Sequence, residues 1–372
     1  MDIKLIKKYF PTILMILCGA LVGFVIGIFI NDNAYLFAGT LENKFLNIFF
    51  MYIILIAVIY IHIIMHELGH LIFGLLTGYE FVSFRIGNII LIKKDNGLKF
   101  KKYSLMGTGG QCLMTYPEYD EDHFPFVLYN LGGIIVNFLL ALIFILIYIL
   151  NKPQGLFSFF CLMMIIVGIA NVLLNGIPFK NDYVSNDGYN TMIFMKDKKA
   201  LKTFYSILKI AEYQSKDIAL SKMPQELFEL ADDADTHNSF NAHIVFCKEN
   251  ICMEKNEFDK AKEYIDLLLS DKYTLQGIHR YMLLLDLLYI DILNNKEVDL
   301  SVVEDKKMKN FMKAMANSPS VIRSQYALAI YQKDDKKQEA LLKRFDKISK
   351  DYPYEVDLNN ERKLMELIKN HA

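Results

Sequence analysis

The chain has 372 residues, of which 53% are hydrophobic and 22% charged, with a formal net charge of −1. This is too apolar for a plain cytosolic enzyme, and the near-neutral charge gives no reason to expect a nucleic-acid partner. A membrane half joined to a soluble half fits the balance.

At the N-terminus Lys4, Lys7 and Lys8 precede an apolar run over residues 12–30. The pattern is similar to a signal peptide, but the run is long enough to span a bilayer and no clean small-x-small site follows. An uncleaved first span is expected. Three more runs reach membrane length, at residues 46–73, 126–150 and 156–177. Between the second and third lies a basic stretch with Arg85, Lys93, Lys94, Lys99, Lys101 and Lys102. The positive-inside rule puts this stretch and the basic N-terminus in the cytoplasm, and an even number of spans puts the C-terminus there too.

Residues 80–105 alternate apolar with polar positions and contain Asp95-Asn96-Gly97 between two such runs, a hairpin signal. A small β-sheet at the cytoplasmic face is expected, followed by a flexible connection over residues 107–110. From about Lys196 the chain is polar and helical in period, with helices over 242–253, 257–269, 276–294, 321–331, 336–349 and 359–368. The turn Asn256-Glu257-Phe258-Asp259-Lys260-Ala261 resembles that of a tetratricopeptide hairpin, but no fixed repeat follows, so an irregular stack of helical hairpins is expected. Such stacks bind peptides or proteins.

The five cysteines, Cys18, Cys112, Cys161, Cys247 and Cys252, are odd in number and form no CxxC, so neither a disulfide framework nor a thiolate metal site is expected. Cys247 and Cys252 read as core residues of a helix. The fold class is therefore an α-helical membrane protein with about four transmembrane helices, a small membrane-associated β-sheet and a soluble all-α C-terminal domain. Its parts are residues 1–45, 46–190 and 196–372.

His66-Glu67-Leu68-Gly69-His70 is an HExxH motif inside the second apolar run. Residues four apart share one helix face, so both imidazoles can reach one zinc ion, and Glu67 beside them can take a proton from a water activated there. Catalytic zinc takes three protein ligands and keeps one position open, so a third ligand must come from elsewhere. Ionisable side chains are costly in a bilayer and mark function by default. His62, one turn earlier on the same face, reads as a polar residue lining the cavity, with support of a ligand as the alternative.

HExxH within a span resembles the signature of the site-2 proteases, which cut substrates in or near the bilayer. That family carries an N-x-x-P followed by Asp-Gly at the cytosolic end of a later span. Here Asn175-Gly176-Ile177-Pro178 and then Asn186-Asp187-Gly188 end the fourth run. The resemblance makes Asp187 the third zinc ligand. The stretch from Pro178 to Asp187 is a few residues longer than in the family, and Asp182 within it is a rival. Gly133-Ile134-Ile135-Val136-Asn137 keeps the Gly and Asn of a further family feature but lacks its Pro. Asn137 and Asn175 are similar to asparagines that hold substrate near the metal, with interhelical hydrogen bonding as the other reading. The resemblance covers residues 46–190.

The expected activity is zinc-dependent hydrolysis of peptide bonds in a membrane-bound protein or peptide precursor, near the cytosolic face of a bacterial membrane, with one catalytic Zn2+. The edge of the sheet is expected to hold the extended substrate, and the C-terminal helices a cytosolic protein or peptide partner. The competing expectation is an inactive, membrane-anchored helical scaffold. Release of a regulator and trimming of a secreted peptide both remain open as roles.

Overall fold

The computed structural model describes residues 3–180, 185–270, 272–275 and 277–371, and their contacts divide into two compact units. The first comprises Met1–Gly78, Pro125–Asn181 and Ser185–Lys196. It holds α1 (Ile3–Asp32), α2 (Leu41–Leu76), α3 (Phe126–Asn151), α4 (Gly155–Gly176) and the short α5 (Asp187–Lys196). The first four are long and apolar enough to cross a membrane. Their outward faces expose large apolar side chains such as Phe24, Phe50 and Leu146, a surface suited to lipid. α4 packs against α1, α2 and α3 and is the most enclosed of the four. Between α1, α2 and α4 sits a core of Phe29, Met51, Val58, Phe159 and Met163.

The four apolar runs coincide with these helices, and the deviations have local causes. α2 begins at Leu41 rather than near residue 46 because Thr40 caps it, its hydroxyl accepting from the Asn43 amide at 3.4 Å. Its first turn, Glu42-Asn43-Lys44, is polar and invisible to hydropathy. With 36 residues α2 is about 54 Å long, well beyond the roughly 30 Å of a bilayer core. One helix is therefore long enough for a full span and several further turns.

The second unit comprises Tyr79–Phe124 and Asp197–Ala372. Its sheet has four antiparallel strands, β1 (Glu80–Ile86), β2 (Ile89–Lys94), β3 (Gly97–Lys102) and β4 (Gly110–Thr115), in the order β3-β2-β1-β4. β2 and β3 join at the expected hairpin. Neither Asp95 nor Asn96 takes a positive φ; Gly97 does, at +102°, and it pairs with Lys94, so the connecting residues are Asp95-Asn96 rather than Asn96-Gly97. β4, a strand that was not expected, begins at Gly110, the last residue of the expected flexible connection, and pairs with β1 through Arg85↔Gln111 and Ile86↔Gly110. Arg85 makes that pairing possible. It is fully buried, and its guanidinium donates to the carbonyls of Gly87 at 2.7 Å and Gly110 at 3.2 Å and to the Thr108 hydroxyl. A residue counted as loop charge is thus an internal tie.

α6 (Lys198–Ser215) packs on the sheet, where Thr115 donates to Glu212 at 2.8 Å. The chain then forms α7 (Ser239–Glu254), α8 (Phe258–Leu269), α9 (Gly277–Leu293), α10 (Ser301–Glu304), α11 (Lys306–Ala314), α12 (Pro319–Tyr331), α13 (Asp335–Ser349) and α14 (Glu355–His371). They share a core that includes Leu283, Tyr289, Ile322, Tyr326 and Phe345. Cys247 and Cys252 are buried on α7.

At the centre of this core Arg323 of α12 is 2% exposed. Its Nη2 meets Asp286 of α9 at 2.5 Å, its Nε meets Glu361 of α14 at 2.9 Å, and its guanidinium stacks over the Tyr289 ring at 4.6 Å. Three helices are tied at one cation. Removing it strands two buried acids, so Arg323→Met should destabilise the protein by about 3–5 kcal/mol, read as lost resistance of the C-terminal helices to denaturant.

A second acid couples stability to pH. Burial, reinforced by Glu361, Glu254 and Asp217 and opposed by Lys94, pushes the Asp357 carboxyl up to about 7. The folded state then holds this proton more tightly than the unfolded chain does. Stability should fall as pH rises from about 4 to about 7 and level off above. Asp357→Asn should remove that slope, matching wild type near pH 4 and exceeding it at pH 8 by about 1–2 kcal/mol, a gain kept small because the residue retains some contact with water. Thermal unfolding across a pH series is the measurement.

Candidate metal centre

The centre is built on α2. His66 and His70 lie one turn apart, with their rings 4.8 Å apart at 82° and their Nε2 atoms 3.1 Å apart. His70 Nδ1 lies 2.7 Å from the Tyr129 carbonyl on α3. A carbonyl only accepts, so Nδ1 carries the hydrogen and the Nε2 lone pair is left facing the centre.

This arrangement needs α2 and α3 to approach backbone to backbone. At Gly69, inside the motif, an added Cβ would stand 2.3 Å from the Gly132 carbonyl oxygen, and at Gly133 one would stand 2.5 Å from the His66 ring. Neither position has room for a side chain, so both are glycine for contact rather than for backbone freedom.

The third group arrives on α5. Asn186 caps that helix, its Oδ1 accepting from the Tyr189 amide at 2.9 Å and from the Phe179 amide at 3.2 Å. Its Nδ2 donates to the Leu174 and Ile177 carbonyls at 2.9 and 2.6 Å, which ties the start of α5 to the end of α4. Gly188 lies against the Gly176 carbonyl, where a Cβ would come within 2.2 Å. Asp187, held between these two contacts, sits in the first turn of α5. Sequence reasoning passed over Asn186. Its signal was available, as an Asn immediately before a helix start.

Asp187 Oδ2 lies 3.0 Å from His66 Nε2 and 3.5 Å from His70 Nε2. It is buried, with no hydrogen bond aligned on it. A carboxylate must be ionised to serve as a metal ligand. The three atoms lie within 4.8 Å of one another and could hold a metal ion. Tetrahedral zinc with bonds of about 2.0–2.1 Å sets its ligand atoms about 3.3 Å apart. The separations of 3.0, 3.1 and 3.5 Å bracket that value, and two nitrogens with one oxygen are a donor set zinc accepts.

Glu67 is buried at 8% exposure beside the two histidines on α2. Asn137 of α3 is wholly enclosed, its amide between His62 at 3.1 Å and His66 at 3.4 Å. Asn175 is half-buried on α4 and donates to the Asn171 carbonyl of its own helix at 3.1 Å. His62 is fully buried, so it does not line a cavity as expected; it bonds to its helix neighbours instead. Asp182, the rival to Asp187, lies outside the described residues.

No curated protein and no solved structure matches the chain. The family model described as peptidase family M50 does, over residues 54–338. The match takes in the HExxH helix, the sheet, Asp187 and much of the C-terminal helices, so it runs further than the resemblance seen in the motifs alone. With the match covering well over half of its length, the chain belongs to peptidase family M50, the site-2 protease family of membrane metallopeptidases.

Proposed function

We propose that the protein is an intramembrane zinc metallopeptidase that hydrolyses peptide bonds of a membrane-bound protein or peptide precursor near the cytosolic face. The observation that carries this is the convergence of His66 Nε2, His70 Nε2 and Asp187 Oδ2 on one point. These three residues would hold one zinc ion, which would supply a Lewis acid for a bound water and for the scissile carbonyl.

Glu67 is the general base. Its carboxylate takes the proton of the attacking water and later delivers it to the leaving amine nitrogen, so one group serves both transfers. A peptide must be extended and unpaired to be cut. β3 is an edge strand with mostly exposed residues, and it can hold such a segment by strand addition, although its last amide, at Lys102, is already taken by the Asp351 carbonyl. Asn175 is the asparagine we read as meeting substrate. The positive-inside rule orients the basic N-terminus and the C-terminal helices to the cytoplasm, where those helices take a protein or peptide partner. The alternative of an inactive scaffold gains no support, because the HExxH motif and Asp187 are all present.

Glu67→Gln should leave zinc content unchanged and reduce cleavage by about 10²–10⁴-fold. The test compares membrane and small-peptide proteomes of cells carrying wild type or the variant at equal abundance. An uncut precursor should accumulate with Glu67→Gln alone, and near-normal cleavage by that variant would overturn the mechanism. Asp187→Ala should instead lose the metal, measured as zinc per chain in the purified protein; full zinc occupancy would shift the third ligand elsewhere.

A further inference from the structure

A third histidine stands behind the centre. His62, one turn before His66 on α2, is completely buried. Its Nε2 is 2.9 Å from the Met164 carbonyl on α4, and its Nδ1 is 3.1 Å from the Asn137 carboxamide on α3. The other end of that carboxamide is 3.4 Å from His66 Nδ1. One line of groups therefore runs from a backbone carbonyl, through two side chains, to the imidazole facing Asp187.

The donors and acceptors on this line fix one another. The Met164 carbonyl accepts, so His62 Nε2 carries a hydrogen. Both partners of His62 are neutral and the ring is sealed from water, which makes a charge there expensive. The ring is uncharged, and Nδ1 is left as an acceptor. As placed, Asn137 Oδ1 faces His62 Nδ1 and its Nδ2 faces His66 Nδ1. That sets acceptors against both nitrogens of an uncharged His62, so we assign the amide turned by a half-turn, with its NH2 toward His62 and its oxygen toward His66. An oxygen facing His66 Nδ1 requires hydrogen on that nitrogen, and a neutral imidazole with Nδ1–H has its lone pair on Nε2. That is the atom 3.0 Å from Asp187 and 3.1 Å from His70. His70 reaches the same state directly, by donating to the Tyr129 carbonyl.

The packing reserves space for this line. At Gly168 of α4 a Cβ would stand 2.8 Å from His62 Cε1 and 3.1 Å from the Ala141 Cβ, so a methyl group there displaces the ring.

We propose that His62 is a positioning residue for the metal centre: acting through Asn137, it holds His66 in the tautomer whose Nε2 is free to bind the ion. The inference rests on the zinc reading above, and it assigns Asn137 to ligand support rather than to substrate.

The test measures zinc affinity by chelator competition, and the visible spectrum after Co2+ replaces zinc, on the purified full chain. His62→Phe should weaken zinc binding by about 10–100-fold and shift the Co2+ bands. Gly168→Ala, which alters neither His62 nor any ligand, should move both readouts in the same direction. In Asn137→Asp the carboxylate accepts from His66 Nδ1 whatever lies behind it. Adding His62→Phe to that background should then cost less than about threefold more. Wild-type affinity and spectrum in His62→Phe, or in Gly168→Ala if the first does not fold, would overturn the proposal. So would equal losses in both backgrounds, which mark a packing role alone. Wild-type protein that takes up no zinc would overturn the zinc reading with it, whereas a zinc-replete wild type with insensitive variants overturns this inference only.

Discussion

Everything at the centre depends on how closely α2 and α3 approach. In lipid there is no hydrophobic gain from pressing two apolar helices together, so association relies on close packing and interhelical hydrogen bonds. Gly69 against Gly132 supplies the first, and Gly133 against the His66 ring converts it into placement of that imidazole. The short distance lets the Tyr129 carbonyl and the Asn137 amide, both on α3, reach ring nitrogens on α2. A side chain at either glycine would separate the helices and lengthen these bonds together. Packing and ligand orientation are one constraint here, expressed in the same few residues.

Much of this was legible in the sequence because each signal was a local pattern with one physical meaning. The four apolar runs became four helices, since length and composition alone decide whether a segment can satisfy its backbone in lipid. HExxH placed two imidazoles on one face because the helix repeat leaves no other outcome. The Asp-Gly after the fourth run lies at the same point, where Gly188 meets the Gly176 backbone. What stayed hidden was pairing between distant segments. β4 is six residues with no flanking hairpin signal, and it exists because Arg85 bonds the loop before it to the β1–β2 turn. Asn186 is one polar residue in a polar stretch, and its four hydrogen bonds are evident only when α4 and α5 meet. His62 carried a residue-level signal, a histidine one turn from the motif, but its partners lie 75 and 102 residues away.

The two units solve the problem of buried polarity in different ways. The C-terminal helices bury a full ion network, with Arg323 between Asp286 and Glu361, and accept the desolvation this requires because both charges of each pair are present. The apolar bundle leaves charge to the metal centre. His62, Asn130, Asn137 and Asn171 are bonded to neutral groups, mostly backbone carbonyls, and the acids at the centre are Glu67 and Asp187.

That distribution bears on why the imidazoles must be neutral. With Glu67 and Asp187 both ionised, a divalent ion bound there would balance their two negative charges and leave no net charge to desolvate. A proton added to His62, His66 or His70 would break the balance in a low-dielectric setting, and on the last two it would also occupy the site of the metal bond. Holding each ring neutral, with hydrogen on a chosen nitrogen, therefore serves the electrostatics of the bundle and the ligand field at once. The Tyr129 carbonyl does this for His70 in one bond. For His66, α3 offers the Asn137 side chain at that level, and an amide has two ends. Something behind the amide has to choose between them, and the neutral ring of His62, anchored on the Met164 carbonyl, is what the fold places there.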